Sequence, residues 1–185
     1  MSRLRIFDES RPQSPLAVLD EHVSIAEALS KIGVRFEQWE ASQPIEPGAS
    51  QEQVITAYRG DIDRLMADKG YQAVDVISLT PDHPDRTTLR EKFLSEHTHS
   101  EDEVRFFVAG SGQFTLHVDG KVYDILCEQG DLIGVPDGTR HWFDMSESPY
   151  FVAIRLFTNK DGWVANFTGD TVAGRFPRMV PTKNV

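Results

Sequence analysis

The sequence predicts a mainly β protein with an α/β N-terminal part, in which a β-barrel core is flanked by helices. Residues 1–95 alternate helix and strand signals, whereas from Val104 to Phe157 short apolar segments are separated by Gly, Pro and Asp. Segments of this length and spacing are typical of a small β-barrel or sandwich. The chain of 185 residues has the size of one domain. We divide it into an α/β cover at residues 1–95, a barrel core at residues 96–160 and a C-terminal tail at residues 161–185.

Two capping boxes predict the main helices of the cover. In Ser24-Ile25-Ala26-Glu27 the serine hydroxyl and the glutamate carboxylate can each bond a backbone N–H of the other residue, and Gly33 ends the helix. Ser50 with Gln53 opens a longer helix, whose apolar side chains recur at helical spacing until Gly70. We expect both helices to pack against the core.

Two strands and a short helix complete the cover. Val34–Trp39 alternates between two faces, as a half-buried strand does. Tyr71–Leu79 is expected to form another strand, which the turn residues after it bring to an end. Thr88–Glu91 is expected to cap a short helix that runs to about Leu94.

The expected barrel strands are Val104–Val108, Gln113–Val118, Lys121–Leu126, Asp131–Val135 and Tyr150–Phe157. Asp119-Gly120, between two of them, predicts a two-residue type I′ hairpin, because both residues tolerate positive φ. The tail after Trp163 has few periodic apolar positions, so we expect it to wrap the surface or fray.

The charge balance and the single cysteine limit the possible partners. The chain has 29 Asp+Glu against 19 Lys+Arg, a formal net charge of -10, whereas proteins that bind a phosphate backbone normally carry a basic surplus. No apolar run approaches the ~18 residues of a membrane-spanning helix, and acidic residues follow Met1–Phe7 where a signal peptide would be apolar. Cys127 is alone and forms no intramolecular disulfide. We expect a cytoplasmic monomer without nucleic-acid or membrane partners.

The segment from His97 to Arg105 contains the most informative pattern. In an extended strand, residues two apart share a face, so His97, His99 and one of the carboxylates Glu101 and Glu103 would converge. Neutral imidazole and carboxylate suit Fe, Ni, Mn, Co or Zn.

A fourth ligand is expected from His141, which the Gly- and Pro-rich turn around Pro136 presents from a neighbouring strand. Three histidines and one glutamate around an octahedral metal leave two open positions. Such a site is typical of catalysis.

Two motifs in this part of the chain resemble a known family. The pattern His97-x-His99-x3-Glu103-x6-Gly110, followed by Gly130-x5-Pro136-x-Gly138-x2-His141, is similar to the two motifs of the cupin superfamily of small β-barrels. The segments from Lys92 to His99 and from Glu101 to Val108 more specifically resemble the acireductone dioxygenase family. Glu91 and Met145 depart from the cupin motifs, and neither is a ligand position.

The resemblance implies a role for each residue of the site. It implies one Fe(II) or Ni(II) per chain, held by His97, His99, Glu103 and His141. It implies that Arg105 helps to generate and hold a substrate dianion, and that Glu96 and Asp102 act in metal loading or in relaying local changes. Two phenylalanines close to the ligands, Phe93 and Phe143, are candidates for a wall around the substrate tail, and Arg155 for an inward-facing charge.

The reaction that the resemblance implies belongs to methionine salvage. The substrates would be O2 and the acireductone 1,2-dihydroxy-3-keto-5-methylthiopentene. The iron form of the family gives 2-keto-4-methylthiobutanoate and formate, and the nickel form gives 3-methylthiopropanoate, formate and CO. Which metal is loaded depends on availability, since the same ligands hold either ion.

Several other interpretations remain open from the sequence. Arg105 could form only an ion pair with Glu101 or Glu103. The protein could be a cupin dioxygenase of the flavonol 2,4-dioxygenase type, or a cupin that binds a metal or small ligand without catalysis. The remaining histidines, His22, His83 and His117, are expected at the surface or the edge of the core.

Overall fold

The structure is a computed structural model and describes residues 1–181. The elements in chain order are β1 (Arg3–Asp8), β2 (Ala17–Leu19), α1 (His22–Ser30), β3 (Arg35–Gln38), α2 (Gln51–Ala57), α3 (Arg59–Lys69), β4 (Ala73–Leu79), α4 (Arg86–Leu94), β5 (His97–Thr98), β6 (Glu103–Val118), β7 (Lys121–Glu128), β8 (Asp131–Val135), β9 (Arg140–Asp144), β10 (Phe151–Phe157), β11 (Asn166–Phe167) and the 3₁₀ helix η1 (Val172–Arg175). Within the described residues, no helix is long and apolar enough to cross a lipid bilayer.

Strand β6 connects two antiparallel sheets. Its first half belongs to a sheet of order β4-β10-β6-β8-β3, which we call the helix-side sheet. Its second half belongs to a sheet of order β11-β5-β9-β6-β7-β1-β2, which we call the tail-side sheet. The prediction of two separate strands, Val104–Val108 and Gln113–Val118, is therefore wrong. One strand bends at Gly110, where φ is +66° and an added Cβ would lie 1.8 Å from the carbonyl oxygen of Tyr150.

The two sheets divide the apolar core into three layers. The space between the sheets holds the largest cluster, which includes Phe107, Phe114 and Phe143. The outer face of the helix-side sheet packs against α2 and α3, and the outer face of the tail-side sheet packs against η1 and the segment after it. The tail therefore wraps the barrel over its described part, to residue 181, which is one of the two expected outcomes; residues 182–185 lie outside the described residues.

Some local signals in the cover are confirmed and others are wrong. Ser50 and Gln53 form the predicted capping box, and Gly70 ends α3 with φ +70°. The chain breaks at Tyr58, however, so the expected long helix is two helices, with the Tyr58 side chain buried against the helix-side sheet. The box at Ser24 does not form, because α1 begins at His22 and Ser24 lies inside it.

The start of α4 and the first strands also differ from expectation. Helix α4 begins at Arg86, before Thr88, because the preceding turn is closed by a bond from the Asp85 N–H to Nδ1 of His83. The strands β1 and β2 carry no alternating pattern long enough to predict them. They form because β1 pairs with β7 along its whole length. The hairpin at Asp119-Gly120 is confirmed, with φ +49° and +72°.

Candidate metal centre

Three histidines converge at one end of the space between the sheets. Strands β5 and β9 are neighbours, and His97 and His141 are direct cross-strand partners with ring centroids 4.4 Å apart. His99 follows β5, and its ring centroid lies 5.2 Å from that of each of the other two. All three side chains are buried, and their ligand nitrogens lie within 4.8 Å of one another. This is the geometry of a candidate metal site.

Backbone carbonyls orient the three rings. Nδ1 of His97 bonds the Ser95 carbonyl at 2.7 Å, Nδ1 of His99 bonds the Val164 carbonyl at 3.0 Å, and Nδ1 of His141 bonds the Thr139 carbonyl at 2.8 Å. A carbonyl only accepts, so each Nδ1 carries the proton and each Nε2 keeps its lone pair. The three Nε2 atoms are thus fixed in the form that binds a cation.

Glu103 supplies the fourth candidate ligand. Its Oε2 lies 3.4 Å from Nε2 of His99 and 3.8 Å from Nε2 of His141. Its other oxygen, Oε1, accepts from Nη2 of Arg105 at 2.7 Å. Oε2 of Glu103 and Nε2 of His141 are buried and have no hydrogen-bond partner among the described residues. Buried polar atoms without a partner are costly, and a cation bound between them would satisfy both.

The charges within the site favour cation binding. Burial lowers the pKa of His141 to about 3 and also lowers the pKa of His97, because a charged imidazole loses its hydration inside the barrel. Both rings are therefore neutral at neutral pH. Burial is the largest single influence on the pKa of Glu103 and would raise it, but Arg105, the imidazoles of His141 and His99, and Arg155 together outweigh burial and hold that pKa well below its usual range. The donor set is three imidazoles and one carboxylate.

Arg105 both pairs with Glu103 and faces the cavity beside the histidines. Its side chain is 5% exposed, and its Cζ lies 4.6 Å from the ring centroid of Phe143 and 4.9 Å from that of Phe114. These rings hold the guanidinium in place and keep water from most of its surface. The sequence left open whether Arg105 forms only an ion pair or also faces the site. In the structure it does both.

The cavity has a volume of about 360 Å³ and is lined by residues of both sheets and of α4. Arg155, the cross-strand partner of Arg105, lines it and donates from Nε and Nη2 to the two carboxylate oxygens of Asp75 at 2.8 and 2.5 Å. Phe93 and Phe143 also line it, with ring centroids 6.2 Å apart. The pocket therefore has two cationic groups and an apolar wall.

Three acidic residues near the ligands have other partners. The chain is not extended between β5 and β6, so Glu101 turns away from the histidines and accepts from Thr158 and Asn159 at 2.6 and 2.5 Å. Asp102 accepts from the backbone N–H of Asp137 at 2.9 Å. Glu96 is fully buried on the outer face of the tail-side sheet, where its side chain cannot reach the cavity directly.

The three histidines that were expected at the surface or the edge of the core lie in three different environments. His117 is 4% exposed, which contradicts the prediction, and both of its ring nitrogens are hydrogen-bonded. The alternation of β6 changes faces at the Gly110 bend, and this places His117 beneath the tail. His83 is half-buried and lines the cavity, while His22 stacks on Phe36 outside the site. No pattern in the sequence distinguishes these three histidines.

Comparisons with known proteins show what the whole chain is similar to. A family model described as the ARD/ARD′ family matches residues 3–165. The acireductone dioxygenase of Stenotrophomonas maltophilia (strain K279a) is 62% identical over 99% of this chain and 99% of that protein. The acireductone dioxygenase of Xylella fastidiosa (strain 9a5c) is 61% identical over 98% of this chain and 96% of that protein. A solved structure, acireductone dioxygenase from Bacillus anthracis with a cadmium ion in its active centre, has a TM-score of 0.79 at 32% identity and covers 90% of this chain and 98% of that one.

Proposed function

The chain belongs to the ARD/ARD′ family and is a metal-dependent acireductone dioxygenase, and from that premise we propose which residues carry the reaction. The proposal depends mainly on two buried atoms that have no hydrogen-bond partner within residues 1–181. They are Oε2 of Glu103 and Nε2 of His141, which lie 3.8 Å apart beside two more imidazoles. We assign His97, His99, Glu103 and His141 as ligands of one Fe(II) or Ni(II). The bound ion would supply Lewis-acid chemistry to the enediol of the substrate.

Arg105 and Arg155 provide positive charge for an anionic substrate. An enediol that loses its protons is a dianion, and a buried guanidinium stabilises such charge strongly because little water screens it. Arg105 is held by Glu103 and two aromatic rings, and Arg155 is held by Asp75. Both groups are in place before substrate binds, so no reorganisation is needed.

The apolar wall of the cavity accommodates the rest of the substrate. Phe93 on α4 and Phe143 on β9 meet edge to face, and Leu89 and Ile77 line the same cavity. A methylthioalkyl tail would bury its apolar surface against these side chains. We therefore propose 1,2-dihydroxy-3-keto-5-methylthiopentene as the substrate, with its polar end at the arginines.

The products follow from the metal, as expected for the family. Acireductone and O2 would give 2-keto-4-methylthiobutanoate and formate in the iron form, and 3-methylthiopropanoate, formate and CO in the nickel form. Imidazole and carboxylate ligands bind nickel more tightly than iron, so availability decides which ion is loaded. A cytoplasmic monomer without nucleic-acid or membrane partners remains our prediction for its setting.

An oxygen-dependent assay tests the proposal. Acireductone is mixed anaerobically with the Fe-loaded protein, air is then admitted, and the absorbance of the substrate is followed. We expect rapid loss of absorbance only after air, and no catalysed loss with metal-free protein. If no metal supports an oxygen-dependent loss, the protein does not catalyse this reaction.

A further inference from the structure

A buried series of hydrogen bonds lies next to the candidate metal centre, on the outer face of the tail-side sheet. His117 Nδ1 lies 2.8 Å from Oε2 of Glu96, and His117 Nε2 lies 2.8 Å from Oε2 of Glu9. The side chains of His117 and Glu96 are 4% and 0% exposed, whereas that of Glu9 is 47% exposed. This series of hydrogen bonds therefore begins at the surface with Glu9 and ends at Glu96, beside His97, which is the next residue in the sequence.

The hydrogen-bond geometry joins His117 to both carboxylates. Each ring nitrogen of His117 faces one carboxylate oxygen at hydrogen-bond distance, so the buried ring bridges Glu9 and Glu96. Such bonds are short and directional, and they hold a side chain more firmly than apolar contact does.

Glu96 is also held from its other side. Its Oε1 accepts from the Thr168 hydroxyl at 2.8 Å, and its backbone carbonyl accepts from the Thr168 N–H at 3.1 Å. Next to Thr168, strand β11 pairs with β5, so that Phe167 is the cross-strand partner of His97. Each oxygen of the Glu96 carboxylate thus has one partner, and the partners come from distant parts of the chain.

The position of Glu96 in the sequence connects this series of hydrogen bonds to the candidate metal site. The residue before it, Ser95, provides the carbonyl that orients the ring of His97, and the residue after it is His97 itself. Strand β5 has only two residues, so its own ladder fixes it weakly. A displacement of Glu96 would move both the ligand and the carbonyl that directs its Nε2.

We propose that Glu96 and His117 are positioning residues that fix the metal ligand His97, with Glu9 and Thr168 as their outer supports. This inference rests on the proposed function, since it assumes that His97 is a ligand. Outer partners of metal ligands typically contribute about 10- to 100-fold in metal affinity. Metal affinity is therefore the property that should respond.

The test compares Co(II) affinity of the metal-free full-length protein in four forms, followed by the visible absorption of Co(II). We expect His117→Gln to weaken binding about tenfold, because glutamine has a single donor nitrogen and cannot reach both carboxylates as the two separated ring nitrogens of histidine do. We expect Thr168→Val to weaken it by a few-fold. The control is Asp124→Asn, which disrupts the buried ion pair with Arg5 on β1 and β7, away from β5. It should lower thermal stability and leave Co(II) affinity unchanged.

The outcomes separate the two proposals. If the wild-type protein binds no Co(II), the proposed function fails. If the wild type binds Co(II) and both His117→Gln and Thr168→Val bind it equally well, the positioning role is overturned, and the network only holds the tail. Should His117→Gln not fold, Thr168→Val decides alone, because it removes one hydroxyl from an exposed residue and keeps the backbone bond.

Discussion

The two faces of the first half of β6 alternate residue by residue along the chain and differ in their charge and in the groups that they contact. Glu103 and Arg105 point into the barrel and are charged, buried and paired with each other. Val104 and Phe106 point outward and are equally buried, but they pack only against the apolar layer under α2 and α3. The inner face pays a desolvation cost for its charges, and the outer face stabilises the strand that carries them.

This contrast indicates that the residues responsible for function and those responsible for stability lie on opposite faces of the helix-side sheet. Directional polar contacts surround the candidate metal centre, and in the described part of the chain they leave Oε2 of Glu103 without a hydrogen-bond partner. The helix layer consists of apolar contacts, which are not directional and contribute about 25 cal/mol per Å² of buried surface. Changes on the inner face should therefore alter metal binding and turnover, and changes in the helix layer should alter unfolding.

The largest expected effect is on the inner face, in His141→Ala. Removing one of the four proposed ligands should abolish most metal binding and, with it, oxygen-dependent turnover. Metal content after loading and desalting measures the first, and substrate loss measures the second. The matched control is His22→Ala, because His22 stacks on Phe36 outside the cavity. Equal metal content in the two variants would contradict the ligand assignment.

Arg105→Gln separates metal binding from charge stabilisation on the same face. We expect it to retain metal at saturating concentration and to lose about 100-fold in kcat/KM, equivalent to ~2.7 kcal/mol. The glutamine removes the positive charge but keeps a polar side chain near Glu103. Arg64→Gln is the control, since that guanidinium stacks on Trp39 on the outside of the cover. Turnover at the wild-type rate in Arg105→Gln would remove the proposed electrostatic role.

Leu65→Ala tests the other side of the contrast. The side chain is 1% exposed in the helix layer, and its truncation should lower the free energy of unfolding by about 2 to 5 kcal/mol. Co(II) affinity and kcat/KM, measured well below the unfolding temperature, should stay at wild-type values. Urea unfolding gives the first quantity. A variant that loses stability and metal affinity together would show that the two faces of the sheet are coupled.

The smallest expected effect concerns the two serines that the sequence predicts as helix caps. Ser50 accepts from the backbone N–H of Gln53, so Ser50→Ala should cost about 1 kcal/mol of stability. Ser24 lies within α1, so Ser24→Ala should change stability by less than about 0.5 kcal/mol. The two variants are compared by urea unfolding under the same conditions. A larger loss for Ser24→Ala would mean that α1 begins later in solution.

Residue types and their spacing were sufficient to identify the family and the cupin-type barrel, and both are confirmed. They also pointed to three histidines and one carboxylate as candidate ligands, and the family resemblance selected Glu103 over Glu101. Local signals were sufficient for the Asp119-Gly120 hairpin and the Ser50 cap, where a few adjacent residues decide the backbone. The ligand roles themselves await the experiments above.

Tertiary structure determines those contacts of the site that residues adjacent in the sequence cannot determine. Glu101 and Glu103 have the same nominal parity, and only the loop after β5 turns Glu101 toward Thr158 and Asn159. His117 has no motif around it, yet the bend at Gly110 and the returning tail bury it between Glu9 and Glu96. The sequence therefore determined the chemistry of the site, since donor type is a property of single residues. Which charges are buried together depends on contacts between distant segments, and only the folded chain makes those contacts.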